Sequence, residues 1–185
     1  MISTGELRKG VVIELDNELW QILDYHHIKM GRGSAQVRIK LRNIRRGQTV
    51  ERSFQAGEKW PRAQLETRPV QYLYSDGTEY HFMDTQSYEQ FSMTAEKLGD
   101  AAQYLIDGMT LERTSYETET IGVELPVTVE QKVVETDPGF AGDTTGGARK
   151  PATTETGLVV QVPLFVSVGD TIRIDTRTGD YQTRV

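Results

Sequence analysis

The sequence predicts an all-β protein built from three small segments, and three observations carry that prediction. Short apolar runs alternate with Gly, Asp, Asn and Pro turns along the chain. Val37, Ile39 and Leu41 alternate with Arg38, Lys40 and Arg42, the period of two that a strand imposes. Only one stretch carries the signals of a helix.

In chain order, Asp16-Asn17 reads as the first turn. Residues 37–42 then form a strand with its apolar set inward and its basic set outward. Leu65 to Pro69 is polar and contains a proline, which predicts a first junction, and Asp76-Gly77 predicts the next turn. Asp100 offers an N-cap for the helix formers up to Ile106, and Gly108 can end that helix. A second junction is expected within Thr120 to Pro126. Leu158 to Val168 is rich in Val, Leu and Phe, and Pro163 inside it predicts an edge or a bend. Ile172 and Ile174 mark another alternating strand, followed by a turn at Thr178-Gly179-Asp180. The expected domains are residues 1–64, 65–127 and 128–185. Each is near the lower size limit for an independent β barrel.

Composition narrows the function classes. At 37% apolar and 26% charged residues the chain reads as soluble and globular rather than disordered. It has no cysteine, which excludes disulfides and thiolate metal sites. Residues 1–10 show no apolar core or cleavage signal, and no apolar run approaches the roughly 20 residues of a membrane span. A cytoplasmic location is expected.

The net charge of −6 argues against an RNA partner until its distribution is considered. Lys29, Arg32, Arg38, Lys40, Arg42, Arg45 and Arg46 crowd into residues 29–46, which hold no Asp or Glu. The remainder has 14 basic against 27 acidic side chains, a net of −13. A basic element on an acidic body suits phosphate binding at one end. A solvated strand face is the plainer reading of the same run.

Several chemical signatures fail. Gly31-Arg32-Gly33-Ser34 begins like a dinucleotide loop, but Gln36 stands where the third glycine belongs. Gly142 to Gly147 has the glycine spacing of a phosphate loop, but Ala148 replaces its lysine. Ser34 lacks a nucleophile elbow. His26 and His27, being adjacent, point to opposite faces of a strand, and His81 is the remaining histidine, so metal geometry is poor. No cofactor and no enzyme activity are expected.

Lys29-Met30-Gly31-Arg32-Gly33-Ser34-Ala35 lies between two strand-like runs. The flanking glycines allow a tight turn with Arg32 at its tip, which suits either an ordinary hairpin or a probe of another surface. This heptapeptide, with Val37 to Asn43 after it, resembles the tip hairpin of the elongation factor P family. Lys150-Pro151-Ala152-Thr153, Gly157, Val160 to Val166 and Gly169 are similar to the signature of that family's third domain. Gly142-Asp143-Thr144 and Asp175 to Tyr181 match as well, so the resemblance spans the chain.

The resemblance implies an SH3-like domain followed by two OB-type barrels in a tRNA-like L shape. It implies a monomer that binds both ribosomal subunits between the peptidyl-tRNA and exit sites and relieves stalling at consecutive prolines. It assigns the tip to Arg32 with Lys29, Met30, Gly31, Gly33 and Ser34, and phosphate contacts to Arg38, Lys40 and Arg42. Gly142, Asp143, Thr144, Thr145, Gly146 and Gly147 become an exit-site codon loop, and Tyr181 and Arg184 a small-subunit contact. Many members carry a modified lysine at the tip. The guanidinium of Arg32 is a far poorer nucleophile than a lysine amine, which argues against lysine-type extension there. A tip rhamnose, with a tip-modifying enzyme as a further partner, and an unmodified arginine both stay open. The competing readings are a generic OB-fold RNA-binding protein and a small β-barrel enzyme using the carboxylate-rich middle.

Overall fold

The computed structural model describes residues 1–28, 35–139 and 147–185. They form two compact units: Met1–Glu66 with Thr114–Ile121, and Thr67–Arg113 with Gly122–Val185. The strands are β1 (Ile2–Ser3), β2 (Val12–Leu15), β3 (Glu18–Ile28), β4 (Gln36–Asn43), β5 (Thr49–Gln55), β6 (Lys59–Trp60), β7 (Arg62–Ala63), β8 (Glu66–Ser75), β9 (Glu79–Asp84) and β10 (Gln90–Thr94). A short helix α1 (Ala95–Leu98) and a 3₁₀ turn (Gly99–Tyr104) precede β11 (Thr110–Tyr116) and β12 (Glu119–Glu124). The last strands are β13 (Thr128–Thr136), β14 (Arg149–Thr154), β15 (Val159–Pro163), β16 (Thr171–Asp175) and β17 (Tyr181–Arg184).

The first unit is organised by an antiparallel sheet in the order β5-β4-β3-β2-β7. Asp16 and Asn17 both take positive φ, 54° and 60°, which gives the two-residue hairpin that joins β2 to β3 the twist the strands need. β4 is paired on both edges, and its burial alternates residue by residue as its sequence does. Val37, Ile39 and Leu41 are fully buried with Ile13, Trp20, Ile22 and Trp60. Phe54 packs edge-on against Trp60 with ring centres 4.8 Å apart. At the end of β4 the buried Asn43 accepts from the backbone N–H groups of Arg45 and Arg46, which turns the chain into β5. Thr114–Ile121, the tip of the β11–β12 hairpin, completes this unit: Tyr116 and Ile121 pack on a cluster of Val12, Leu19 and Ala63.

In the second unit β8 to β12 form a sheet in the order β10-β9-β8-β11-β12. The expected helix is displaced and mostly not α-helical. Thr94, rather than Asp100, is the N-cap, accepting from the Lys97 N–H, and the α-turn stops at Gly99, whose φ is +56°. Residues from Asp100 to Tyr104 belong to the 3₁₀ turn. Within Leu65 to Pro69, β8 starts at Glu66, and Pro69 precedes Val70, the first residue paired with β9. Thr120 to Glu124 likewise lies within β12.

β13 to β17 form an antiparallel sheet in the order β15-β14-β13-β16-β17. Pro163 ends the edge strand β15, where a missing N–H costs the ladder little. Val129, Val133, Val160, Val162, Ile172 and Ile174 supply the core. Gln131 is fully buried among them. Its Oε1 accepts from the Thr154 hydroxyl at 2.6 Å, and its Nε2 lies 3.4 Å from the carbonyls of Gln103 and Tyr104. A buried amide is tolerated here because it is satisfied. Gln131→Ala takes the amide donor from the Tyr104 carbonyl and the 2.6 Å acceptor from the Thr154 hydroxyl, and is expected to destabilise this unit by about 1–3 kcal/mol in urea unfolding.

Candidate nucleic-acid interface

The outward side chains of β4 are Arg38, Lys40 and Arg42, all exposed. Register decides what stands beside them, because residues opposite one another on neighbouring strands share a face. His26 and Ser53 flank Arg38, Asp24 and Glu51 flank Lys40, and Gln21 and Thr49 flank Arg42. The row is therefore set between two carboxylates that the linear sequence does not reveal. Arg38 Nε lies 3.3 Å from Glu51, and Lys9 reaches in to hold Asp24 at 2.9 Å. The Lys9 ammonium and the Tyr25 N–H keep the Asp24 carboxyl below its ordinary pKa. Lys9, Arg38, Lys40 and Arg42 still outnumber Asp24 and Glu51. Among the described residues Lys40 and Arg42 make no ion pair. The Arg38–Glu51 pair is more than half exposed on both sides, so it is weak enough for a phosphate to displace.

Arg45 and Arg46 belong to the same basic run but are used within the fold. Arg45 forks onto the Glu119 carboxylate at 3.1 and 2.7 Å, and Arg46 holds Glu18 at 2.9 Å. The predicted tip, Lys29, Met30, Gly31, Arg32, Gly33 and Ser34, lies outside the described residues. So do Gly142, Asp143, Thr144, Thr145 and Gly146, while Gly147 is described and has a φ of +99°. β3 and β4 stay paired up to Ile28 opposite Gln36, the last residues before the tip segment on the two strands.

Tyr181 opens β17 and is half-buried against the core of the second unit. Arg184 is exposed, 3.4 Å from Asp170 and 5.2 Å over the Phe165 ring. The turn before Tyr181 is built by Asp175. Its carboxylate accepts from the Arg177 backbone N–H at 2.9 Å and guanidinium at 2.7 Å, and its backbone carbonyl accepts from Gly179 N–H. Gly179, at a φ of +78°, supplies the left-handed position.

The histidines are accounted for structurally. His26 stands 3.6 Å from Asp24, and His27 meets the Tyr25 ring edge-on. His81 stacks on Tyr74 and shares a 2.8 Å hydrogen bond with Asp76. Asp76, Glu79 and His81 bring ligand atoms within 4.8 Å of one another, the residues that could meet a cation among those described. Asp76 also accepts from the Thr78 and Glu79 N–H groups, so the cluster is explained by the β8–β9 turn. No helix among the described residues is long and apolar enough to cross a membrane.

Three family models match in succession: the elongation factor P KOW-like domain over residues 3–60, the elongation factor P OB domain over 65–123, and the elongation factor P C-terminal domain over 129–184. The chain belongs to the elongation factor P family. Elongation factor P of Pelotomaculum thermopropionicum is 54% identical over 185 residues, and that of Moorella thermoacetica 53% over 184, each covering 100% of both chains. The family makes this chain a translation factor, not an enzyme, and sets aside an unrelated RNA-binding protein. Its first domain is KOW-like and SH3-like, and OB architecture follows. The fold extends to a eukaryotic-type translation initiation factor 5A from Methanococcus jannaschii. That structure has a TM-score of 0.53 at 20% identity, over 68% of this chain and 90% of its own.

Asp175 gives a pH test of the β16–β17 turn. The Arg177 guanidinium and backbone N–H lower its pKa from 3.8 to about 2. A depressed carboxyl stabilises the fold above its unfolded pKa and loses that contribution as pH falls through the folded one. Asp175 should thus contribute fully above about pH 4 and progressively less down to about 2. Asp175→Asn is expected to lower the melting temperature at pH 7 and to flatten the acid limb of its pH profile. An unchanged acid limb would remove Asp175 from the turn's energetics.

Proposed function

We propose that this factor binds the ribosome between the peptidyl-tRNA and exit sites and promotes peptide-bond formation at consecutive prolines. What supports the reading is the exposed row Arg38, Lys40 and Arg42, which leads along β4 to the Arg32 segment in a chain related to elongation factor P over its whole length. Proline's ring fixes φ and makes a constrained secondary amine, so a proline run holds the reactants in poor attack geometry. The ribosome supplies the catalytic centre. A factor that restores alignment lowers the barrier without moving a proton. Arg38, Lys40 and Arg42 hold phosphates of the peptidyl-tRNA, and Arg32 with Lys29, Met30, Gly31, Gly33 and Ser34 reaches its terminal nucleotides.

Gly142 to Gly147 reads the exit-site codon region, and Tyr181 and Arg184 touch the small subunit, so both subunits are partners. The functional domains are 1–64, 65–127 and 128–185, in a cytoplasmic monomer. Arg32 acts either bare or carrying a rhamnose placed by a modifying enzyme, and the intact mass of protein from its native cell decides between them.

The deciding experiment is reconstituted translation of messages with and without a proline run. The factor should speed the first and leave the second nearly unchanged, and Arg32→Ala should bind ribosomes yet fail to rescue. Equal stimulation of both messages, or full rescue by Arg32→Ala, would overturn the reading. Replacing Arg38, Lys40 and Arg42 together by Gln is expected instead to weaken ribosome binding. Its log–log salt slope should flatten by about two to three, since each lost phosphate contact removes about 0.7 to 0.9. Asp24→Asn should strengthen binding, because it removes a carboxylate beside Lys40.

A further inference from the structure

The first unit carries a second cationic feature away from β4. A cleft of about 830 Å³ opens between the 8–10 turn and β7, lined by Arg8, Lys9, Gly10, Arg62 and Gln64 among others, with no carboxylate in its wall. The backbone explains how it forms. Gly10, at a φ of +87°, donates its N–H to the Ile22 carbonyl, which bends the turn over β3 and leaves Arg8 and Lys9 exposed. Arg62 pairs with Ile13 of β2 at the edge of the sheet and is exposed, while its neighbour Ala63 is buried.

Among the described residues the side chains of Arg8 and Arg62 make no hydrogen bond or ion pair. In a chain of net charge −6, two free guanidinium groups at a carboxylate-free cleft point to an anion from outside. Glu6 lines an adjoining hollow that Arg8 and Arg62 also border, but its carboxylate is occupied with the Ser3 N–H and hydroxyl and pairs with neither arginine. Lys9 joins the two features: it lines the cleft and also holds Asp24 beside Lys40.

We infer that Arg8 and Arg62 form a second phosphate-binding site that takes the backbone of an RNA strand, separate from the contact made by β4. Arginine suits this role because its planar fork donates two parallel hydrogen bonds to one phosphate. The inference rests on the ribosome-binding reading above.

The test measures the dissociation constant for ribosomes carrying tRNA in the peptidyl site, over about 50 to 200 mM salt. Parent, Arg8→Gln/Arg62→Gln, Arg8→Lys/Arg62→Lys and the β4 triple Gln variant are compared. The Gln pair should flatten the log–log slope by about one and a half, and the Lys pair should keep the parent slope. A parent slope in the Gln pair, with a flattened slope in the β4 variant, overturns the cleft and leaves the ribosome reading intact. No binding by the parent overturns both. A second measurement needs no variant: ribosome-bound parent should protect Arg8 and Arg62 from phenylglyoxal, read by mass spectrometry. Equal modification of free and bound protein overturns the site.

Discussion

β4 is a strand paired on both edges, and the rest of the first unit depends on that constraint. Its backbone hydrogen bonds go to β3 and β5, so only its side chains face the core and the outside. The pleat sends Val37, Ile39 and Leu41 one way and Arg38, Lys40 and Arg42 the other. A slip of one residue would bury three cations and expose the centre of the core. The packing that holds the register thus also fixes the spacing of the cationic row. The cationic row is in this sense a by-product of core packing, and the two cannot be altered separately by shifting the strand.

The parts of the fold legible in the sequence are those set by a residue and its immediate neighbours. Period two in residues 37–42 needs no knowledge of the partner strands. The Asp16-Asn17 turn is legible because positive φ is a local property, and the Pro163 edge because a missing N–H is one as well. What stayed hidden depends on register. Asp24 and Glu51 are distant from Lys40 in sequence and adjacent only through pairing, so the basic face looked purer than it is. The helix was misplaced because the N-cap is Thr94, with the positive-φ Gly99 between it and the residues that carried the helix signal. Nothing in the residues beside Gln131 signals its burial, because Thr154 and the 103–104 carbonyls that satisfy it are distant in sequence.

Not every residue that marks the family serves the candidate interface. The Asp175 to Tyr181 segment is a turn in which carboxylate, guanidinium and glycine each satisfy backbone geometry. Arg45 and Arg46 add to the charge of the basic run, yet Glu119 and Glu18 hold them. Separating such residues from Arg38, Lys40 and Arg42 requires knowing which cations lack a strong internal partner. The same criterion brings Arg8 and Arg62 forward, although each is isolated in sequence.

The central claim is that the outward face of β4 lies against the acceptor end of the peptidyl-tRNA. The chain contains no cysteine, so one introduced thiol gives a unique attachment point. A hydroxyl-radical probe tethered through Lys40→Cys should cut the acceptor strand of peptidyl-site tRNA on stalled ribosomes. The same probe at the exposed Val134 of β13 should leave that strand intact. Acceptor-strand cleavage from position 40 alone is the result the account predicts; its absence there, with the factor bound, would contradict it.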